Sequence, residues 1–324
     1  MKKIIAVVGP TASGKSALAL ELARRLDGEI VSCDSMQIYK YLDIGTAKPT
    51  HEEMREIPHH MIDIVDPSVV NSYSCAEFVD AARNSIDDII SRGKLPVLCG
   101  GTGLYIDNII ADTEFSETVA DTAYRESLFN LANTRGNEYV YNMLMEIDPE
   151  SAKATHPNNI KRVIRALEIY HSSGVTKTEW DKKSRLRKSP YDARIIGLCY
   201  NDREALYERI NTRVDLMVES GLINEVESLI KSGILRKDST AAQAIGYKEL
   251  LGYILGEASL EEALESVKRE SRRYAKRQMT WFSRNKDVHW IYPDTFAVND
   301  RFKIIVNNAL NYLTSDGFCD IIDK

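Results

Sequence analysis

Paired cysteines are missing from this sequence: Cys33, Cys75, Cys99, Cys199 and Cys319 are scattered through 324 residues, and none forms a C-x-x-C pair. That spacing excludes a disulfide framework or a cysteine zinc site and fits buried thiols in a reducing compartment. The six histidines offer only one close pair, His59-His60. Adjacent positions cannot both face one metal from a helix or strand, so both are read as structural or loop-polar. No apolar run approaches the ~20 residues that a membrane span needs. The opening Met1-Lys2-Lys3 leads straight into an apolar strand, then glycine and proline, with no small-residue cleavage site. A cytoplasmic protein without membrane attachment is expected, and a monomer. Internal repeats and low-complexity tracts are absent too. A net charge of −6 argues against a wholly basic nucleic-acid binder, but phosphates respond to local clusters of charge rather than to the total.

What is present is an ordinary globular composition, 44% apolar and 28% charged, patterned as strands alternating with helices. Lys3 to Val8 is a short unalternating apolar run, as a strand buried on both faces requires. A helix follows, with Leu18, Leu22 and Leu26 on one stripe. Glu29 to Cys33 reads as a second strand ending at Asp34. Ser74 with Glu77 is a capping box, opening a helix that turns Phe78, Ala82, Ile86 and Ile89 inward. Leu95 to Cys99 is a third strand, and the sheet resumes at Arg194 to Tyr200. From about residue 115 to 190 buried strand runs give way to polar helical segments, one of them Asn159 to His171. The long helix Ser259 to about Ser283 is the last one expected, and His289 to Tyr292 adds a final strand. The fold class is α/β: a P-loop NTPase-like, doubly wound parallel sheet with a helical insertion domain. The catalytic core is assigned to 1–114 and 191–324, and the insertion to 115–190.

Gly9-Pro10-Thr11-Ala12-Ser13-Gly14-Lys15-Ser16 satisfies G-x-x-x-x-G-K-[ST] between a strand and a helix, the context this motif needs. Backbone N–H groups there curl around phosphate oxygens, Lys15 supplies charge, and the Ser16 hydroxyl suits Mg²⁺. Most P-loop proteins also hold the metal with an Asp after a later strand. Here that strand ends in Gly100-Gly101-Thr102-Gly103, and the comparable carboxylate is Asp34. Asp34 and Thr102 are expected to face the P-loop, because carboxyl ends of parallel strands converge on a ligand crevice. By chemistry alone Asp34 is either a metal ligand or a general base.

Ordered blocks along the chain resemble the tRNA dimethylallyltransferase family. They are the P-loop itself, Asp34-Ser35-Met36-Gln37-Ile38-Tyr39, Asp43-Ile44-Gly45-Thr46-Ala47-Lys48-Pro49 and Cys99 to Tyr105. His156-Pro157-Asn158-Asn159, Arg165-Ala166-Leu167-Glu168, Ala244-Ile245-Gly246-Tyr247-Lys248 and Tyr274 to Trp281 complete the series. The resemblance implies dimethylallyl diphosphate as donor, Mg²⁺ as cofactor, and the adenosine 3′ of the anticodon, in the tRNA stem-loop, as acceptor. It places a second diphosphate-binding arginine at Arg213 and the general base at Asp34, with Lys15 and Thr102 also in the catalytic set. It implies tRNA contacts at Asp34, Ser35, Met36, Gln37 and Thr102, and in the insertion at Arg125, Lys161, Arg162, Val163, Ile164 and Arg165. Gln243, Ala244, Ile245, Gly246, Tyr247 and Lys248 are implied as well. The resemblance suggests a bacterial-type member, since the chain ends at Lys324 without the zinc finger that eukaryotic members often carry.

Charge clustering points the same way. On a helical wheel Lys268, Arg269, Arg272, Arg273, Lys276 and Arg277 fill about half the circumference, interrupted only by Glu270; Arg273 and Arg277 are the candidate phosphate contacts. Lys182 to Lys188 is a second basic run. Trp180, Trp281 and Trp290 are assigned no base-stacking role, and Trp281 falls on the apolar arc. Three other readings stay open: a P-loop kinase of a small metabolite, a prenyltransferase of free adenine nucleotides, and an RNA-binding switch without transfer chemistry. The first two leave the insertion and the basic helix without a purpose. The third requires a strand-end Asp and switch loops that the sequence lacks. The D-D-x-x-D pattern of helical prenyl synthases is also missing, for Asp87-Asp88 is followed by Ile-Ile-Ser.

Overall fold

A computed structural model of the chain describes residues 1–68, 73–113, 121–185 and 188–321. In chain order its first third holds β1 (Lys2–Val8), α1 (Lys15–Arg25), β2 (Gly28–Ser32), α2 (His51–Glu56), β3 (His59–His60), α3 (Cys75–Ser91), β4 (Leu95–Gly100) and α4 (Gly103–Ile110). Five helices follow: α5 (Thr122–Arg135), α6 (Asn137–Ile147), α7 (Pro149–Lys153), α8 (Ile160–Ser173) and α9 (Lys177–Arg185). The last part holds β5 (Tyr191–Leu198), α10 (Arg203–Glu219), α11 (Leu222–Lys231), α12 (Tyr247–Ile254), α13 (Leu260–Phe282), β6 (Val288–Ile291) and α14 (Arg301–Thr314). The chain divides into two compact units, one of residues 1–109 with 190–324 and one of residues 110–189. No described helix is long and apolar enough to cross a membrane.

The larger unit is built on a six-stranded sheet, order β3-β2-β4-β1-β5-β6, parallel throughout. The chain winds outward from β1 to β3, returns to insert β4, then leaves on the other side through β5. Strand order therefore reverses at β1–β4, and the loops after β1, β2 and β4 open at one edge. Ile5 and Val7 face a core made with Leu18 and Leu22 of α1 and with Ile305, Val306 and Leu310 of α14. Helix α3 buries Phe78, Val79, Ala82, Ile86 and Ile89 and packs on β2 and β4, and its capping box forms as the Ser74/Glu77 spacing predicts.

Two elements depart from the expected pattern. Helix α14 follows β6, although the long helix ending near Ser283 was expected to close the helical series. Its apolar stripe is tied into the sheet core, and Asp300 stands at its N-cap, a residue type that marks helix starts, although it makes no side-chain cap bond. Strand β3 is two residues long, too short for alternation to register. His60 Nε2 lies 2.8 Å from the buried Glu29 carboxylate, which also pairs with Arg92. Those bonds hold Glu29 well below the usual carboxylate range, at about 2, with Arg92 the larger cause.

The smaller unit is helical and has its own core, in which Leu128, Val140, Leu144, Val163, Ile164 and Leu167 are essentially buried. Two buried carboxylates organise it. Glu168 accepts from Arg125 Nε at 2.7 Å and Nη2 at 3.2 Å. Asp148 caps α7 through Ser151 N at 3.0 Å and receives Thr178 N and Oγ1, at 3.0 and 2.6 Å, at the start of α9.

Candidate functional site

The P-loop joins β1 to α1, and α1 begins at Lys15 with no side-chain cap. Its first N–H groups therefore point into the loop without an intrahelical partner, the arrangement that favours an anion. Lys15 Nζ rests on the Pro10 carbonyl at 3.3 Å. Burial, and after it the neighbouring Arg213 guanidinium, lower the Lys15 pKa below its ordinary value. Arg213 comes from α10 and is itself lowered by burial, with Asp34 opposing the shift. Two cations and one carboxylate thus share a confined space, and a polyanion there would satisfy both cations.

That space is a cavity of about 470 Å³ lined by Lys15, Ser16, Asp34 and Arg213 on its polar side. Ile210, Val214, Met217, Leu222 and Val267 supply an apolar wall. A second cavity of about 560 Å³ lies against α10 and shares Lys15, Ser16 and Arg213 with the first. Of the eight P-loop residues, Thr11, Lys15 and Ser16 line the first cavity, and Ala12, Gly14, Lys15 and Ser16 the second. Gly9 and Pro10 shape the turn behind them, and the Ser13 hydroxyl is buried without a partner, an unmet donor inside the loop.

Asp34 follows β2 and its Oδ1 accepts Met36 N at 2.8 Å and Gln37 N at 3.4 Å, folding Asp34–Gln37 into a tight turn on the cavity wall. Oδ2 is not committed to that turn. Ser35, Met36 and Gln37 all line the cavity. Thr102 lies beside the Asp34 turn, where its Oγ1 accepts Ser35 N at 3.1 Å; it is not among the residues that line the cavity. Burial pushes the Tyr274 hydroxyl, which lies beside Thr102 and Gln278, up to about 12.

Three anchoring side chains escaped the sequence reading. Gln278, 4% exposed on α13, accepts Thr11 N at 2.9 Å and donates to the Gly101 carbonyl at 3.1 Å. Arg209 Nε donates to the Ala12 carbonyl at 3.0 Å. Glu225 accepts three backbone N–H groups of the 43–45 segment. Gln278 sits inside a motif block and carried some signal, whereas Glu225 is one glutamate on an amphipathic helix.

Several expected tRNA contacts have other partners. Val163 and Ile164 belong to the helical core, so only Lys161, Arg162 and Arg165 of that segment are exposed. Arg125 is committed to Glu168. Ala244 and Tyr247 are buried, while Gln243 and Lys248 are exposed and Gln243 to Gly246 line the cavity. The basic face of α13 also divides. Lys268 pairs with Asp215 at 2.7 Å and Arg272 donates to Asn211 at 2.6 Å, both packing contacts to α10. Arg269, Arg273, Lys276 and Arg277 remain exposed, although Arg273 donates to Glu270 at 2.7 Å. Trp281 donates to Asp107 Oδ2 at 2.7 Å and is half-buried. In the second basic run Lys182 pairs with Glu150 at 2.7 Å; Leu186 and Arg187 lie outside the described residues, and nothing is described of the Arg185 side chain.

The motif of the IPP transferase family matches residues 37–286 of this chain. The tRNA dimethylallyltransferase of Thermoanaerobacter sp. (strain X514) is 49% identical over 312 residues, which are 96% of this chain and 97% of the relative. That of Bacillus cytotoxicus is 52% identical over 289 residues, 89% and 90% of the two chains. The crystal structure of a tRNA isopentenylpyrophosphate transferase from Bacillus halodurans superposes with a TM-score of 0.70 at 45% identity, over 97% of this chain and 98% of that one. A eukaryotic dimethylallyltransferase acting on tRNA gives a TM-score of 0.80 at 28% identity, over 100% of this chain and 82% of its own.

Proposed function

This chain belongs to the IPP transferase family, and from that premise we propose that it transfers a dimethylallyl group from dimethylallyl diphosphate to the exocyclic amine of the adenosine 3′ of the anticodon in tRNA, releasing diphosphate. The observation that carries the reading is the one cavity on which Lys15, Arg213, Asp34 and an apolar wall meet.

The donor's diphosphate belongs at the P-loop and its isoprenoid against Ile210, Val214 and Met217, where water is kept from the allylic carbon. As the C1–O bond breaks, its electron pair goes to the diphosphate oxygen. Lys15, Arg213 and the N–H groups of α1 hold that growing charge. The amine lone pair forms the new C–N bond, and the amine proton passes to Asp34 as general base. The acceptor base must leave its stack to reach this space. The Ser16 hydroxyl is a hard oxygen donor that fits Mg²⁺, which takes few protein ligands beside phosphate and water; the Asp34 carboxylate would be a second such donor only if another group took the amine proton. When bound there the ion supplies charge neutralisation to the diphosphate.

The test is incubation with radiolabelled dimethylallyl diphosphate and either tRNA or AMP. Label in tRNA is expected. Label in AMP alone would move the chain to free-nucleotide prenylation, and ATP consumption without labelling would revive the kinase.

A further inference from the structure

The Glu225 carboxylate, on α11, is filled on both oxygens. Oε2 accepts Asp43 N at 3.1 Å and Ile44 N at 2.9 Å, and Oε1 accepts Gly45 N at 3.3 Å together with the Tyr247 hydroxyl. Tyr247 is wholly buried at the start of α12. A β-carbon on Gly45 would lie 2.4 Å from Tyr247 Cε2, so the loop backbone is pressed onto the ring. One carboxylate thus fastens α11, α12 and the 43–45 loop together. Burial and the Glu225 carboxylate both push the Tyr247 hydroxyl well above the ordinary tyrosine range, so it stays a donor.

The clasp leads to the reacting centre. Gly45, Thr46 and Ala47 line the cavity. The Thr46 and Ala47 carbonyls each accept Gln37 Nε2 at 3.1 Å, and Gln37 N bonds the Asp34 carboxylate at 3.4 Å. The path from Glu225 to Asp34 therefore runs through one loop and one carboxamide, and it touches neither Lys15 nor Arg213.

On the footing of the transfer reaction, we propose that Glu225 is a positioning residue: through the 43–47 loop and Gln37 it holds the Asp34 turn where the acceptor amine must arrive. A glutamine would keep one acceptor oxygen but set an amide N–H₂ against backbone donors, so the loop would shift while the helices stay packed.

The experiment compares wild type with Glu225→Gln in tRNA prenylation, in pyrophosphate binding by calorimetry, and in thermal unfolding. The kcat should fall roughly 10- to 100-fold, as small misplacements of a reacting group do, with pyrophosphate affinity changed less than about twofold because the P-loop is off the path. In an Asp34→Asn background the same substitution should cost no more than about threefold, since groups acting on one step are not additive. Tyr247→Phe, which removes one donor of four, should show the same pattern more weakly, and it serves if Glu225→Gln does not fold. Wild-type kcat in both variants would overturn the proposal. So would a full multiplicative loss in the Asp34→Asn background, or pyrophosphate affinity lost in step with kcat. A wild-type protein that labels no tRNA would instead sink the transfer reading, and this proposal with it.

Discussion

The carboxamide of Gln278 occupies the space a side chain on Gly101 would need: a β-carbon there would lie 1.9 Å from Gln278 Nε2. The two residues are 177 positions apart, yet the glycine exists for the glutamine, which in turn holds Thr11 N at 2.9 Å. Gly101→Ala should displace Gln278 and leave a buried N–H and a carbonyl unmet, at about 1–3 kcal/mol each. A Tm lowered by roughly 3–10 °C and weaker pyrophosphate binding are expected. Thermal unfolding and calorimetry check this, and no change in either would show that the bridge is dispensable.

Lys15→Ala should lower turnover strongly and leave tRNA binding nearly intact, with no ATP consumed by wild type. The pH dependence has a definite sign. The Lys15 pKa is lowered in the free protein, below the ordinary 10.5, and a bound diphosphate favours the charged amine. Affinity for pyrophosphate should therefore be full below the lowered pKa and decline as pH rises through it, an inflection on the acid side of 10.5. Calorimetry across that range should lose the inflection in Lys15→Ala. The same inflection in the variant would assign it to another group.

Asp34→Asn keeps the side chain's size and its bond to Met36 N while removing the charge. A kcat loss of ~10²–10⁴-fold is expected for a positioned base, with tRNA affinity far less affected. Single-turnover rates against Mg²⁺ concentration separate the two roles that chemistry leaves open. Recovery at high Mg²⁺ would make Asp34 a metal ligand, and near-normal rates throughout would remove it from the mechanism.

If α13 meets the phosphate backbone, tRNA affinity should fall with salt by about 0.7–0.9 log units per log unit for each contact. Replacing Arg273 and Arg277 by alanine should flatten that slope. Arg272→Ala should instead lower Tm with little change of slope, because its guanidinium is bonded to Asn211 of α10. An unchanged slope in the double variant would make the basic face a solvated surface.

The P-loop, the capping box of α3, the long α13 and the parallel sheet were legible in the sequence because each depends on neighbours a few residues away. A strand buried on both faces must be apolar throughout, and G-x-x-x-x-G-K-[ST] is a local backbone shape. The place of Asp34 was legible for the same reason, as the carboxylate that follows β2. What tertiary structure alone decided is which polar groups spend their bonds on one another. The six cations of α13 look alike on a wheel, but α10 engages Lys268 and Arg272 and leaves four exposed. Thr102 turned to Ser35, Arg125 to Glu168, and Glu225 to a loop 180 residues away. Hydrogen-bonding capacity belongs to each residue type, whereas its use is set by whatever unmet donor or acceptor the fold brings within about 3 Å.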